Sequence, residues 1–226
     1  MFEKFKRKIL HAFFPTRCPV CGEFIGHMDS FCCKCMDKLN NTDKVEKING
    51  ARSFTTAFVY DENIRPAIML LKDGICGNAD YALGNSLADA LAEQNVPERI
   101  DVIIPVPMYK SDRLKRGFNQ SELIATVIGR RFNIPISSEA VVKNRKTEQQ
   151  KTLNREMRKQ NLEGAYAICK PKKIAEKRVL LVDDVSTTGS TLQELTSLLL
   201  SAGASEVSCA ACCKTSEYRK KKNIMT

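Results

Sequence analysis

The sequence contains no apolar run long enough to cross a lipid bilayer. Its longest apolar stretches, such as DVIIPVPM and LLLSAGA, are much shorter than the roughly 20 residues that a membrane-spanning helix needs. An export signal is also missing, because Lys6, Arg7, Lys8 and His11 break the apolar core of MFEKFKRKILHAFFP and no small-residue cleavage site follows. We therefore expect a protein without a transmembrane segment, acting in the cytoplasm.

Two common nucleotide-binding motifs are absent as well. No G-x-x-x-x-G-K-[ST] string occurs, which excludes a P-loop. A dinucleotide fold needs a glycine-rich turn after its first strand, and the stretch RVLLVDDVSTTGST offers only Gly189. A response-regulator receiver domain also has paired acids after a strand, but most of its sheet follows those acids, and here Asp184 is already late in the chain.

The sequence is rich in positive charge and in cysteine. Lysine and arginine number 36 against 26 acidic residues, which gives a formal net charge of +10 and favours polyanionic partners: phosphate-rich small molecules, nucleic acid or an anionic lipid surface. Ten cysteines in a chain without an export signal indicate metal ligation and buried thiols rather than disulfides. The hydrophobic share of 43% is that of a folded globular protein.

Two C-x-x-C pairs near the start predict a metal centre. Cys18 and Cys21 form the first pair, and Cys32 and Cys35 form the second. A two-residue spacer lets both sulfurs of a pair turn toward one ion, so four thiolates complete a tetrahedral structural zinc site. Cys33 is the nearby substitute ligand, and an iron-sulfur cluster is the alternative occupant. The segment around these pairs is too poor in apolar residues to fold without a metal.

The remaining cysteines and the two histidines are given no chemical role. Cys209 and Cys212 lie on a predicted strand where they point to opposite faces, so they cannot chelate together. We expect the cysteines outside the two pairs to be small buried hydrophobic residues, namely Cys76, Cys169, Cys209, Cys212 and Cys213. His27 is expected to be an ordinary surface residue.

The first fifteen residues predict an amphipathic helix. Phe2, Phe5, Ile9 and Phe13, with Leu10, share one helical face, and Pro15 should end the helix. We expect this helix to dock on the neighbouring small subdomain; an interfacial or partner-binding helix is the alternative.

From residue 54 onward, strands and helices alternate, which predicts a parallel α/β sheet with helices on both faces. Asn119 and Glu122 form a possible capping box at the start of a helix, and Gly203 is a predicted helix C-cap. The basic stretch MYKSDRLKRGFNQ is expected to be a loop, and NRKTEQQKTLNREMRKQN a mobile loop or weak helix. The predicted strands are FTTAFVY, RIDVIIPVP, EAVVK, GAYAI, RVLLVDD and EVSCAACC.

The stretch RVLLVDDVSTTGST predicts a sugar phosphate site. Val179 to Val182 form a buried strand, so Asp183 and Asp184 should emerge at its carboxyl end, where ligands bind in open α/β sheets. The next residues turn into a helix, and their amides and hydroxyls can surround one phosphate. Two carboxylates accept hydrogen bonds from a diol, so the predicted ligand is a 5-phosphoribose. The loop consists of Thr187, Thr188, Gly189, Ser190 and Thr191.

These motifs resemble a known family. VLLVDDVSTTGST is similar to the phosphoribosyl pyrophosphate motif of type I phosphoribosyltransferases, and Ser186 departs from it at a position that is often apolar. Together with the paired C-x-x-C knuckles, IPVP, RGFNQSELIA and NRKTEQQKTLNREMRKQNLEGAY, residues 15 to about 214 resemble the ComF family of competence-associated, phosphoribosyltransferase-like proteins.

The resemblance implies a fold, a ligand and a pathway. The fold would be a type I phosphoribosyltransferase-like sheet with a small, zinc-ribbon-like N-terminal subdomain built on four cysteines, divided as residues 1–50, 51–216 and a basic tail, 217–226. Asp183 and Asp184 would bind the ribose hydroxyls of 5-phosphoribosyl 1-pyrophosphate (PRPP), the Thr187–Thr191 loop its 5-phosphate, and Mg²⁺ would accompany the pyrophosphate. DNA uptake during natural transformation is the implied role.

The basic residues around the site are open to two interpretations. The loop after IPVP would face the pyrophosphate, and the resemblance is firmest at Arg116 and its neighbours to Gln120; Lys110, Arg113 and Lys115 are suitably charged. A mobile hood loop is implied for the stretch that includes Arg145, Gln150, Arg155, Arg158 and Asn161. Each arginine, and Lys72, could equally be a solvated surface charge.

Three functions follow as hypotheses. The first is a transferase that uses PRPP on a nucleobase or amine and needs positioning and charge neutralisation more than acid–base groups, so no catalytic residue is assigned. The second is an adaptor in DNA uptake that binds single-stranded DNA through basic stretches 110–116 and 143–159. The third is a ligand-sensing regulator, although no helix-turn-helix is apparent.

Overall fold

The computed structural model describes residues 2–41, 47–74, 78–145 and 164–215. The helices are α1 (Phe2–Phe13), α2 (Cys33–Met36), α3 (Arg65–Asp73), α4 (Ala79–Glu93), α5 (Lys110–Arg116), α6 (Gln120–Phe132) and α7 (Ser190–Ser201). The strands are β1 (Phe54–Val59), β2 (Val102–Pro105), β3 (Val141–Lys143), β4 (Tyr166–Ile168), β5 (Arg178–Ser186) and β6 (Glu206–Lys214).

A four-stranded parallel sheet in the order β1-β6-β5-β2 forms the centre of the fold. Every pairing in it is parallel, with Val182 of β5 opposite Pro105 of β2 and Ala210 of β6. The carboxyl ends of neighbouring strands therefore meet at one edge, which is where open α/β sheets bind ligands. The predicted parallel α/β architecture is confirmed.

Helices cover both faces of the sheet. On one face α3, α4 and α6 pack with Leu83, Leu87 and Ile128 in a fully buried layer. On the other face α7 contributes Leu195 and Leu199, and a two-stranded antiparallel sheet of β3 and β4 packs beside it. Strands covered on both faces explain the nearly continuous apolar runs in their sequences.

The cysteines of β6 divide between the two faces as predicted. Cys209 is buried with the α7 layer, whereas Cys212 and Cys213 are buried with the α4 layer. Burial raises the pKa of Cys209 to about 12, so this thiol stays protonated at neutral pH. The prediction was wrong for Cys169, which is exposed because it lies just after the short strand β4. Cys76 lies outside the described residues.

The N-terminal segment packs against the body of the protein. Asn41 forms an antiparallel bridge with Phe58, and Asn40 O accepts a hydrogen bond from Val59 N at 2.9 Å, so this segment covers the edge strand β1. Phe31 also meets the Phe58 ring edge-on, with 5.9 Å between centroids. Buried side chains of this segment, residues 16–41, which we call the cysteine subdomain, thereby join the core layer of α3, α4 and α6.

Local predictions at helix ends have mixed outcomes. Gly203 follows α7 in the left-handed conformation at φ +90°, as predicted for a C-terminal cap. Asn119 caps α6 by accepting a hydrogen bond from Ser121 N, but Glu122 forms an ion pair with Arg113 instead of completing a capping box.

The stretch after β2 was wrongly predicted to be a loop. Residues Lys110–Arg116 form helix α5, which ends at Gly117 in the left-handed conformation. Lysine, arginine and leucine are good helix formers even where no apolar stripe marks the helix. Most of the predicted hood stretch, residues 146–163, lies outside the described residues, including Gln150, Arg155, Arg158 and Asn161. None of the helices described is long and apolar enough to span a membrane.

Candidate functional site

The two cysteine pairs come together in one cluster. The sulfurs of Cys18, Cys21, Cys32 and Cys35 all lie within 4.8 Å of one another, and Cys21 Sγ lies 3.6 Å from Cys32 Sγ. The first pair sits on a tight turn in which Gly22, at φ +77°, donates its N–H to Cys18 O. The second pair lies at the start of the one-turn helix α2. The cluster can therefore hold one metal ion, as predicted.

The chemistry of the cluster fits a thiolate-bound cation. Burial opposes ionisation of Cys18, but N–H groups of Cys32, Cys21 and Val20 outweigh it and lower the pKa of Cys18 to about 7. The pKa of Cys35 is raised by burial and by the neighbouring sulfurs, because four close thiols cannot all ionise without a cation. Cys33 is exposed and stands outside the four-sulfur group.

His27 is more than an ordinary surface residue. Its ring is half-buried and lies 6.0 Å from the His11 ring, and its carbonyl oxygen accepts a hydrogen bond from Arg7 Nε at 2.8 Å. His27 thus connects helix α1 to the loop between the two cysteine pairs.

Asp183 and Asp184 lie near the carboxyl end of β5, but within the strand rather than after it, because β5 continues to Ser186. Asp183 Oδ1 accepts hydrogen bonds from Ser121 Oγ at 3.0 Å and from Asp184 N at 2.8 Å. Asp184 Oδ2 lies 3.3 Å from Lys72 Nζ. The pair is therefore held between the first turn of α6 and the last turn of α3.

The charge state of the two acids is unequal. Burial raises the pKa of Asp183 to about 8, with a further contribution from the adjacent charge of Asp184. Lys72 lies beside Asp184, whereas Asp183 is held by the neutral hydroxyl of Ser121. At neutral pH Asp183 therefore favours its protonated form, and ionising it requires a compensating group.

The loop that follows the acids forms the start of α7. Gly189 is buried at φ +75° and is the N-cap of the helix, so the cap residue itself offers no side chain to the first-turn N–H groups of α7; Thr188 Oγ1 accepts a long hydrogen bond from Ser190 N at 3.4 Å. Thr188 Oγ1 and Ser190 Oγ lie 2.6 Å apart. Thr187 is exposed. Hydroxyls and first-turn amides therefore converge where an anion can bind.

A small pocket of about 30 Å³ lies between Asp183 and this loop. Asp183, Ser186 and all five loop residues line it. Ser186 is only 3% exposed, and its Oγ has no hydrogen-bond partner among the described residues. A buried hydroxyl without a partner is costly, so this pocket suits a polar ligand that supplies one.

The predicted pyrophosphate-facing residues are only partly brought to this site. Arg116 lies exposed at the end of α5, and no contact in the described part of the chain joins it to the acids or to the loop. Phe118 and Asn119 have structural roles: the Phe118 ring covers Gly74, and Asn119 Nδ2 donates to Val106 O at 3.0 Å.

A second, larger cavity of about 450 Å³ lies beside α5. Its walls combine apolar side chains of Met108, Val141 and Val142 with the polar or charged residues Tyr109, Lys110, Arg113 and Lys143. Burial lowers the pKa of Lys143, while the charges of Asp112, Asp183 and Glu194 oppose this shift. We call this cavity the α5 groove.

Sequence reasoning missed the groups that support the acids. Ser121 bonds Asp183 although nothing in a single serine marks it; the available signal was its position two residues after the cap Asn119, in a helix that starts beside the sheet edge. Lys72 was noted only as a charge of uncertain role, because its helix and β5 are far apart in sequence.

The chain is similar to a known family model and to individual bacterial proteins. Residues 114–225 match the family model described as a phosphoribosyl transferase domain. The DNA utilization protein YhgH of Shigella flexneri is 32% identical over 206 residues, covering 88% of this chain and 85% of the relative. Competence protein F of Haemophilus influenzae is 39% identical over 108 residues, 47% of each chain.

Solved structures give a weaker likeness. The Bacillus subtilis glutamine phosphoribosylpyrophosphate amidotransferase, in complex with ADP and GMP, is 24% identical and has a TM-score of 0.41; the match covers 59% of this chain and 26% of that one. A hypoxanthine phosphoribosyltransferase from Staphylococcus aureus is 16% identical, with a TM-score of 0.38, and the match covers 60% of this chain and 64% of the other.

Proposed function

Because this chain belongs to the ComF family of phosphoribosyltransferase-like proteins, we propose that it binds PRPP at the carboxyl end of β5. The observation that carries the proposal is the acid pair Asp183–Asp184, followed within five residues by Gly189, the N-cap of α7, which has no side chain of its own to cap the helix. Carboxylates accept hydrogen bonds from the ribose diol, and the amides and hydroxyls of Thr187–Thr191 receive the 5-phosphate.

The surroundings of the pair support a ligand that is anionic at one end and hydroxylated at the other. Lys72 offsets the charge of Asp184, so a sugar carrying phosphates can approach two acids without strong repulsion. The orphaned Ser186 hydroxyl gains a hydrogen-bond partner from the bound sugar phosphate. Arg116, on the connection that leaves β2, is proposed to meet the pyrophosphate.

Two metals belong to the proposal. Zn²⁺ fits the four-sulfur cluster of Cys18, Cys21, Cys32 and Cys35, where it supplies folding energy and has no open position for substrate. Mg²⁺ enters with the pyrophosphate group, whose charge it neutralises. In this view residues 1–50 form the zinc-binding subdomain, residues 51–216 the phosphoribosyltransferase-like domain, and residues 217–226 a basic tail.

The cellular role that we propose is DNA uptake or natural transformation, in the cytoplasm. It rests on the names of the relatives, which are a DNA utilization protein and a competence protein, and on the net charge of +10. Single-stranded DNA and other DNA-uptake proteins are the proposed partners. Transfer of the phosphoribosyl group to a nucleobase or amine, with release of pyrophosphate, is the alternative use of the same site.

Calorimetric titration with PRPP and Mg²⁺ tests the proposal. We expect wild type to bind and Asp184→Asn to lose at least about tenfold in affinity, because a carboxylate hydrogen bond to a hydroxyl contributes about 1.5–3 kcal/mol. Asp89→Asn is the matched control: Asp89 forms a surface ion pair with Arg131 on α6 and should bind as wild type does. Equal heats for wild type and Asp184→Asn would refute the site.

Two further readouts separate the functions. Pyrophosphate release with any member of a nucleobase and amine panel would extend the proposal to catalysis.

Binding of a single-stranded oligonucleotide is favoured by the α5 groove, where Lys110 and Arg113 flank Tyr109 as a stacking surface. Affinity for the oligonucleotide should fall steeply with salt and fall further in Lys110→Ala; salt-independent or absent binding would exclude the DNA-binding adaptor.

A further inference from the structure

Helix α1 docks on the protein through its polar side and leaves its apolar side uncovered. Phe13 is 76% exposed, Phe5 64% and Ile9 46%, and Phe14 directly after the helix is 75% exposed. An amphipathic helix of a globular protein normally does the opposite and buries its apolar stripe. Helix α1 does dock on the neighbouring cysteine-containing segment, as expected from the sequence, but it does so through polar side chains and not through its apolar face.

Specific contacts hold the helix in this orientation. Arg7 donates from a terminal nitrogen to Asn78 Oδ1 at 2.6 Å and from Nε to His27 O at 2.8 Å, and its guanidinium lies 3.4 Å from the centre of the Tyr81 ring. His11, one turn later, accepts a hydrogen bond from Thr16 N at 3.0 Å. These are contacts to both the cysteine subdomain and α4.

Helix geometry sets the exposed residues opposite the docked ones. Each residue advances the helix by about 100°, so Arg7 lies about 200° around from Phe5, and His11 about 200° around from Ile9. Phe5, Ile9 and Phe13 repeat every four residues and form one stripe. The contacts of Arg7 and His11 thus fix this stripe on the outer surface.

The basic residues of α1 favour an anionic partner for its exposed apolar stripe. Helix α1 has four basic residues, Lys4, Lys6, Arg7 and Lys8, and a single acid, Glu3. A basic helix with an aromatic-rich apolar face is the composition of helices that lie in the headgroup region of anionic membranes. A second copy of this chain would bring two such basic surfaces together, which like-charge repulsion opposes.

We propose that α1 docks the protein on an anionic lipid surface, with Phe5, Ile9, Phe13 and Phe14 inserted among the headgroups. The helix lies in the interface and does not span the bilayer, consistent with the shortness of the described helices. This inference goes beyond PRPP binding and does not depend on it.

Flotation of the full-length, metal-loaded protein with lipid vesicles tests the proposal. We expect binding to vesicles of phosphatidylcholine with about one third phosphatidylglycerol, weakening at high salt, and at least about tenfold less binding to phosphatidylcholine alone. Phe5→Ser/Ile9→Ser/Phe13→Ser should reduce binding at least about tenfold. These side chains are exposed, so the variant should keep the wild-type melting temperature and metal content.

Leu114→Ser is the matched control, because Leu114 is 75% exposed on the basic helix α5 but far from α1 in sequence. It should float as wild type does. Equal flotation of the triple variant and wild type would overturn the proposal. So would a change from dimer to monomer in the triple variant, measured by sedimentation without lipid, since it would identify a second copy as the partner.

Discussion

At the scale of single residues, Asp183 lowers the stability of the folded protein when its carboxylate is ionised. It is surrounded by the sheet edge, Ser121 and Asp184, and its pKa of about 8 means that the folded chain holds a proton there that the unfolded chain releases. The free energy of unfolding therefore falls as pH rises from about 4 to about 8, because the folded state binds more protons over that window. Asp183 lines a pocket and lowers the stability of the folded protein, which indicates that this residue is retained for ligand binding rather than for folding.

Asp183→Asn should stabilise the protein while impairing its ligand site. The amide keeps the shape but carries no charge, so we expect the variant to be more stable than wild type by about 1–2 kcal/mol at pH 8 and by less at pH 5. Denaturant unfolding at the two pH values measures this.

Asp101→Asn provides a control of opposite sign. Hydrogen bonds from Arg178 lower the pKa of Asp101 to about 2, so its carboxylate contributes stability that is present above its ordinary pKa and lost as pH falls through about 2. That variant should be less stable than wild type at neutral pH. If both variants lose stability equally at pH 8, the account of Asp183 is wrong.

At the scale of elements, the start of α7 depends on one glycine. A Cβ at Gly189 would lie 2.7 Å from Ile48 Cδ1, and φ +75° is unfavourable for any L-residue by about 1–2 kcal/mol. Ile48 belongs to the segment between the four-cysteine cluster and β1, and it packs with the α7 layer. Strand β5, helix α7 and this segment thus define the loop together.

Gly189→Ala should therefore lose both stability and PRPP binding. The matched control is Gly203→Ala at the other end of α7: φ +90° gives similar backbone strain, but the nearest atom to the new Cβ would be at an ordinary 3.7 Å. Gly203→Ala should lose stability alone. Adding Ile48→Ala to Gly189→Ala should recover part of the binding by removing the clash; no recovery would show that backbone strain alone is responsible.

Elements with a strong local pattern were predictable from sequence, and contacts between distant elements were not. The apolar runs of β5 and β6, Gly203 after α7 and the spacing of the cysteine pairs each carry their own signal, and all were correctly interpreted. Helix α5 was missed because its basic residues show no apolar stripe. The docking of Arg7 with Asn78, and of Lys72 with Asp184, joins residues far apart in the chain, so a single sequence could not reveal either.

At the scale of the whole molecule, the cysteine subdomain and the sheet share one core. Cys18, Phe31, Cys35 and Leu39 are buried in the same layer as Phe58 and Leu83. Loss of a metal bound to the cluster would release the thiols of Cys18, Cys32 and Cys35, which are buried in this layer, so it should destabilise more than the subdomain alone.

Metal removal should lower the melting temperature of the entire chain in one transition. Thermal unfolding with and without a zinc chelator measures this, and Cys35→Ser should reproduce the chelated state. Cys33→Ser, at an exposed position outside the cluster, should melt as wild type does. Two separate transitions, or an unchanged melting temperature after verified metal loss, would contradict a shared core.

The contact between Ile48 and Gly189 has a practical consequence at the bench. Ile48, which lies close to Gly189 at the start of α7, belongs to the segment between the four-cysteine cluster and β1. We therefore expect a preparation without metal in the cluster to behave like a variant of the Thr187–Thr191 loop when it is assayed with a sugar phosphate. A chelating buffer would then make a functional protein fail to bind sugar phosphate. Each binding assay should therefore be accompanied by a measurement of the metal content of the same sample.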